Sequence, residues 1–474
     1  MSVRLTPFVG AADVPADGPS TTLVRPSDGA VIGELVEAGA SGVDAAVAAA
    51  KATFLAHRRA TVADRAGWLR AAAAALNADA DAIADLISDD IGKPIRAAKF
   101  EAGRGGAFLE ATANALTQMG GETLPVDAVP NGRAHFGFTR RVPFGVVGAI
   151  TPFNAPINLL VQKVAPALAA GNAVVVKPAP GGTRAALRAA RAFVAAGVPA
   201  GLFNVVTGDR ETALALAAHE DVAMVSFTGA TAAGEAIARA AGAKKFAAEL
   251  GSNAANLVFA DADVGAAAAK IAGAAFEASG QQCISAQRIL VERPVFDAFA
   301  EKFVAAAHRL KVGDAADPAT DVGPMVHAAA ADRVMAMAEG AVAAGARALM
   351  MPERTGCIVS PGIFAEVPAT AALWRDEVFG PLALLAPFDT LDEAIAMAND
   401  SPFGLQGAAF TASLATAMRL SEEFEVGSLW INEASRFRLD MYPFGGMKKS
   451  GVGREGVRYA IEEMSQVRFT GFAL

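Results

Sequence analysis

Ala223-Met224-Val225-Ser226-Phe227-Thr228-Gly229-Ala230-Thr231-Ala232-Ala233-Gly234 reads as an apolar strand, a glycine turn and the opening of a helix. An unbroken apolar run between turn signals suits a parallel strand covered on both faces. Backbone N–H groups at such a turn can meet a phosphate, helped by the helix dipole. The spacing is Gly-x4-Gly rather than G-x-G-x-x-G, so an ordinary strand-to-helix turn fits equally well.

The same pattern recurs on both sides. Gly145-Val146-Val147-Gly148-Ala149-Ile150, Asn172-Ala173-Val174-Val175-Val176-Lys177, Phe203-Asn204-Val205-Val206 and residues 245–250 are further apolar runs, several separated by alanine-rich helical segments. Strands alternating with helices predict the α/β class, with a parallel sheet of the Rossmann-like, dinucleotide-binding kind. After Asp261 the alternation restarts, with strands at 288–291, 382–385 and 427–431 and helices at 295–310 and 328–344. This predicts a second α/β domain. Before the first sheet, 43–118 reads as successive helices. Val43, Val47 and Phe54 recur at helical spacing, as do Leu69, Leu76, Ile83 and Ile87.

Residues 120–142 differ. Gly120-Gly121 and Pro130-Asn131-Gly132 are turn signals, and the alternation at 135–140 reads as a hairpin arm that exposes an edge. The tail contains a strand-like run at 466–469. The expected division is 1–120 with 142–248 as a cofactor domain, 249–445 as a catalytic domain, and 121–141 with 446–474 as arm and tail.

Composition narrows the function. The chain has 474 residues, 53% of them hydrophobic, and a net charge of −8. Its pI near 5.3 leaves no electrostatic footprint for nucleic acid. No apolar run reaches the roughly 18 residues of a membrane span. No secretory signal is read at the N-terminus. Two cysteines and five histidines in no cluster predict neither a disulfide framework nor a metal site, and suit a reducing cytoplasm.

Gly280-Gln281-Gln282-Cys283 follows a helical run of mostly small residues, 264–278. Cys283 at this turn reads as a nucleophile or as a buried cysteine packed like a small hydrophobe. Glu249-Leu250-Gly251-Ser252 ends a strand. Glu249 lies 20 residues after Gly229, where an acid would hold a ribose; it can equally be a general base or a helix cap. Thr151-Pro152-Phe153-Asn154-Ala155-Pro156 ends another strand. Its prolines stiffen the backbone around Asn154, a fixed amide donor of the kind an oxyanion needs, although Asn and Pro also populate plain turns. Lys177-Pro178-Ala179-Pro180 stands at a strand end, where ligands of open sheets bind. Glu377-Val378-Phe379-Gly380-Pro381 and Pro443-Phe444-Gly445-Gly446 set glycine beside aromatic residues.

Taken together and in order, these motifs resemble the aldehyde dehydrogenase superfamily, from about residue 22 to the C-terminus. The resemblance implies Cys283 as nucleophile, Glu249 as general base, and an oxyanion hole from Asn154 and the Cys283 N–H. It implies NAD or NADP as cofactor. Lys177 and Pro178 would lie at the adenosine ribose, with Pro180 three residues beyond the lysine. Thr151, Pro152, Phe153, Glu377 and Phe379 would lie toward the nicotinamide end. Phe227, Thr228, Gly229, Ala230 and Gly234 would form the pyrophosphate turn, with Leu250 and Gly251 closing over it. The family is typically a dimer or tetramer. Its coenzyme-A-acylating branch lacks a glutamate at the Glu249 position, so Glu249 favours hydrolysis to the acid.

Many NAD-preferring members carry Glu where this chain has Pro180. Its loss removes repulsion toward a 2′-phosphate, and no basic residue precedes Arg184, which implies relaxed NAD/NADP selectivity. Stretches 435–440 and 453–464 resemble a branch acting on lactaldehyde, glyceraldehyde, phosphonoacetaldehyde and sulfo-aldehydes. Arg104 and Arg438 are the expected clamp for an anionic or hydroxylated head group, with Gln282 and Ile284 beside the nucleophile. Members that take phosphorylated substrates often have Arg at the Gln282 position. The expected activity is therefore oxidation of a small polar aldehyde through a cysteine thiohemiacetal and thioester. A succinate-semialdehyde type and a catalytically silent structural member are the alternatives.

Overall fold

The computed structural model describes residues 3–474. Two large sheets dominate it. The first runs Gly451–Val452, Lys245–Glu249, Met224–Thr228, Val146–Thr151, Ala173–Pro178, Phe203–Val205, Phe8–Val9, Ala12–Asp13. Its five central strands are parallel, and the short flanking ones are antiparallel. Val146–Thr151 and Ala173–Pro178 are buried at every position, as strands covered on both faces must be.

The second sheet runs Arg347–Met350, Gly362–Ala365, Leu382–Phe388, Ala286–Glu292, Ala254–Val258, Gln406–Phe410, Ser428–Ile431. All but the Arg347–Met350 edge are parallel. The expected strands and helices thus occur within a few residues of their predicted bounds.

The region 43–118 forms four helices, Gly39–His57, Val62–Ala78, Ala80–Ile91 and Ile95–Leu116. A Thr61–Asp64 capping box starts the second, satisfying N–H groups that have no helical partner. Gly92, in the left-handed conformation, ends the third. Leu69, Leu76, Ile83 and Ile87 all face the core, as their spacing predicts.

The arm differs from a self-contained hairpin. His135–Pro143 pairs along its whole length with the tail strand Ser465–Ala473, and on its other side with Thr123–Leu124. Phe136, Phe469 and Phe472 stay exposed on it. No helix among the described residues is long and apolar enough to cross a membrane.

Candidate active site

The nucleophile loop departs from the expected helix. Val264–Phe276 stops two residues short of 278, and a tight turn follows with Ala278, Ser279 and Gly280 all at positive φ. At Gly280 a Cβ would collide with the Gly380 carbonyl, so the loop docks against 380–381 only as glycine. Ser279 Oγ donates to the Gly323 carbonyl at 2.7 Å, and Gln281 Oε1 accepts the Val326 N–H at 3.0 Å. These bonds hold Cys283 at the floor of a cavity of about 310 Å³.

Three sequence-distant segments reach that cavity, within 93–104, 154–159 and 436–439. Asn154 lies beyond the strand Val146–Thr151, and its Nδ2 donates to the Gln281 carbonyl at 3.0 Å. One N–H of that amide remains for a ligand oxygen. Ile284 is buried beside the nucleophile, and Gln282 lines the cavity wall.

Glu249 ends the strand Lys245–Glu249 and is buried. Its Oε1 has no hydrogen-bond partner among the described residues. Burial first, then the charge of Glu455, push its carboxyl well above the usual carboxylate range; Arg438 and Lys163 oppose them. Burial and the nearby Glu249 likewise raise the Cys283 thiol. Thiol and carboxyl thus face each other in a dry site. Cys283 is the thiol neighbour that hydrogen-bonds the Glu249 carboxyl.

Such a group of a cysteine, an acid and an amide, set between two α/β sheets, has a counterpart among known proteins. Residues 14–470 match the aldehyde dehydrogenase family. The chain belongs to that family. It is 42% identical over 81% of its length to a 3-sulfolactaldehyde dehydrogenase of Priestia aryabhattai, of which 81% is covered. It is 39% identical to an aspartate-semialdehyde dehydrogenase of Pseudomonas canavaninivorans, over 94% of this chain and 95% of that one. The crystal structure of NADP-dependent glyceraldehyde-3-phosphate dehydrogenase from Bacillus halodurans, complexed with NADP, superposes at a TM-score of 0.97. The two are 30% identical, over 100% of each chain. Like its relatives, this aldehyde dehydrogenase is an NAD(P)-dependent oxidoreductase.

The residues on the first sheet's strand ends fit such a cofactor. The helix Thr231–Ala241 starts after an extended Ala230 with no side-chain cap, leaving its first N–H groups open to a pyrophosphate. Gly234 packs under Leu250, and a Cβ on Gly251 would press on Glu377 Oε2 at 2.9 Å. Burial pushes the Glu377 carboxyl up to about 7, while the Ser252 N–H donates to its Oε1 at 2.9 Å and lowers it. Phe379 meets Phe153 edge to face at 5.8 Å. Thr151 Oγ1 is buried without a partner beside Pro152, and Thr228 ends the strand that Phe227 anchors in the core.

Lys177 is buried next to Pro178, and desolvation lowers its ammonium to about 8. Pro180 opens a short 3₁₀ turn after it. Arg184, the first basic residue beyond, is paired with Asp89 at 2.6 Å and Asp90 at 2.7 Å.

The expected arginine clamp is redistributed. Arg104 lines the cavity and pairs with Asp440 at 2.5 Å. Arg438 also reaches the cavity wall, but its guanidinium donates to Glu455 Oε2 at 2.8 Å and Gln162 Oε1 at 2.7 Å, and stacks 3.7 Å from the Phe444 ring centroid. With its charge so engaged, it supports Glu455 and Glu249 rather than standing free for a head group.

Arg436, two residues earlier, lines the cavity as well. Its Nε donates to Gln282 Oε1 at 2.9 Å and its Nη2 to Glu277 Oε1 at 2.5 Å. Sequence reading passed over Arg436 because nothing local separates it from Arg438.

It also missed Lys163 and Glu455. Lys163 Nζ sits 3.2 Å from both Ser226 Oγ and Glu455 Oε1. A lysine inside Asn158–Ala170, a helix buried at every position, was the available signal. Glu455 lies in the branch-like stretch 453–464 but looks there like any glutamate before a helix. The five histidines are exposed or bonded locally, as at His327, which caps the helix Ala328–Ala343.

Proposed function

We propose that the chain oxidises a small anionic aldehyde to its carboxylate with NAD or NADP, using Cys283 as nucleophile, Glu249 as general base and Asn154 as oxyanion donor. One observation carries the substrate class: Arg104 and Arg436 line the same cavity as Cys283, each held by a single carboxylate. A carboxylate or sulfonate on the substrate would meet two guanidinium groups with donors to spare. Gln282 beside the nucleophile favours these smaller charges over a phosphate. The relatives named for sulfolactaldehyde, aspartate semialdehyde and glyceraldehyde 3-phosphate support an anionic head group.

The chemistry follows from the proton balance. The Cys283 thiol is protonated at rest, and Glu249 is the acceptor within reach of its proton. The thiolate adds to the aldehyde carbon, and the alkoxide rests on the free Asn154 N–H and the Cys283 backbone N–H. A nicotinamide held near Phe379 and Glu377 would supply the acceptor for the hydride that leaves as this alkoxide collapses to the thioester. The thioester left on Cys283 is attacked by water that Glu249 deprotonates. Arg438 and Lys163 offset part of the burial and of the Glu455 charge that raise that carboxyl. Glu377 and Lys177 would hold the two riboses, and the open N–H groups at 231–234 the pyrophosphate.

The first sheet, with the helices before it, forms the proposed cofactor domain, and the second sheet the catalytic domain. The exposed aromatic face of the arm and tail would pair with a second copy, giving a homodimer or homotetramer. A cytoplasmic location accords with two free cysteines.

The test is kcat/KM for succinate semialdehyde, a sulfo-aldehyde, lactaldehyde, phosphonoacetaldehyde and propanal, each with NAD and NADP. A preference for the carboxylated or sulfonated aldehydes of about ten-fold or more over propanal supports the reading. A flat profile sinks the anionic class. A Cys283→Ala variant that still reduces cofactor sinks the mechanism.

A further inference from the structure

Beside Asn154, on the wall of the same cavity, lies a buried ion pair that the reaction above does not use. Lys93 stands in the turn after Gly92, and Glu101 on the helix Ile95–Leu116. Their side chains are 9% and 4% exposed. Lys93 Nζ donates to Glu101 Oε2 at 2.5 Å and to the main-chain carbonyl of Asn154 at 2.9 Å. The other oxygen of Glu101 accepts the N–H of Ile157 at 2.9 Å and of Asn158 at 3.2 Å.

These two N–H groups open the helix Asn158–Ala170, which has no side-chain cap of its own. Glu101 therefore caps it from another helix, and its charge suits the positive end of the dipole. The segment 154–158 is pinned twice, at its first carbonyl by Lys93 and at its last N–H by Glu101. The Asn154 side chain itself is tied by its Nδ2 bond to the Gln281 carbonyl.

The turn that carries Lys93 is itself confined. Gly92 has φ +70, and a Cβ there would crowd Pro324 at 3.0 Å. The Ile95 N–H bonds the Ala315 carbonyl at 2.8 Å. Gly323, whose carbonyl takes the Ser279 hydroxyl of the nucleophile loop, packs against the Gly92 carbonyl. One stretch, 315–324, thus braces the Lys93 turn and the Cys283 loop.

We propose that Lys93 and Glu101 are positioning residues for the oxyanion site. They fix where the Asn154 amide points relative to Cys283 and need no contact with the reacting atoms. A donor stabilises an oxyanion only within a few tenths of an ångström of its ideal place, so a loop amide needs such bracing. The inference rests on the proposed oxyanion role of Asn154.

The test compares Lys93→Met/Glu101→Gln with the wild type and with the same pair in an Asn154→Ala background. The amide introduced by Glu101→Gln keeps an acceptor for the Ile157 and Asn158 N–H groups. The thioether introduced by Lys93→Met fills the space of the lysine stem, so no buried charge is left alone. The readouts are kcat, cofactor binding by fluorescence, and the rate of Cys283 alkylation by iodoacetamide.

The pair is expected to lower kcat by about ten-fold or more, the scale of a misplaced oxyanion donor. Cofactor affinity and alkylation should stay within about two-fold. In the Asn154→Ala background the pair should cost less than about two-fold. The same loss in that background would overturn the inference, because the pair would then act elsewhere. An unchanged kcat in the pair variant overturns it too. A fully active Asn154→Ala enzyme overturns the oxyanion reading, and this inference with it. If the pair variant does not fold, Lys93→Gln/Glu101→Gln, which also leaves no buried charge alone, carries the same comparison.

Discussion

The Arg436 guanidinium donates to Gln282, the residue directly before the nucleophile, at 2.9 Å. Its other arm is tied to Glu277 at the start of the same loop. A cation so placed can report an anionic substrate to the nucleophile loop while it binds it.

Arg436→Ala should raise KM for an anionic aldehyde by about ten-fold or more, the cost of a lost charged hydrogen bond of roughly 1.5–3 kcal/mol. Propanal, which has no anion, should lose far less. Steady-state kinetics with both substrates decides it, and equal losses would return Arg436 to a loop-bracing role.

Glu249→Gln should separate the two half-reactions. The first turnover, seen as a burst of reduced cofactor, survives where the thiol can ionise at elevated pH. Steady turnover should fall by about 10²–10⁴-fold, the usual contribution of a general base. A covalent acyl-enzyme, visible as an intact-mass increase that is absent in Cys283→Ala, should accumulate. Turnover at the wild-type rate would remove Glu249 from the mechanism.

The pH profile has a defined sign. Glu249 must be ionised to act, and burial followed by Glu455 raises its titration. The activity limb attributed to it should therefore lie above the ordinary carboxylate range, with rate rising as pH rises. Arg438, which opposes that shift, is the control: Arg438→Met should move the limb to still higher pH. Movement to lower pH would contradict the assignment.

Lys177 loses its charge as pH passes about 8, because desolvation depresses its ammonium. If it holds the adenosine ribose, KM for cofactor should climb above that pH, and more steeply for NADP, whose 2′-phosphate needs the cation. Lys177→Met should remove the pH dependence and raise both KM values. A cofactor KM flat from about pH 7 to 9, across that titration, would place the lysine outside the binding site.

Much of this protein is written in local sequence. Apolar runs such as 173–178 become strands buried on both faces because no other arrangement hides so many consecutive branched side chains. The motif loops, Gly229, Lys177, Glu249 and Cys283 among them, sit at strand or helix ends, where a parallel α/β fold gathers its ligands. What the sequence alone could not decide was partnership. Arg436 and Arg438 differ by two positions, yet one is tied to Gln282 and Glu277 beside Cys283 and the other to Gln162 and Glu455 from other segments. That Glu249 has Cys283, Glu455 and Lys163 as neighbours likewise emerges only in the folded chain. Lys93 and Asn154, 61 residues apart, meet only in the folded chain. The physical reason is the same in each case: a charge is identified by what it faces when desolvated, and long-range packing alone decides what that is.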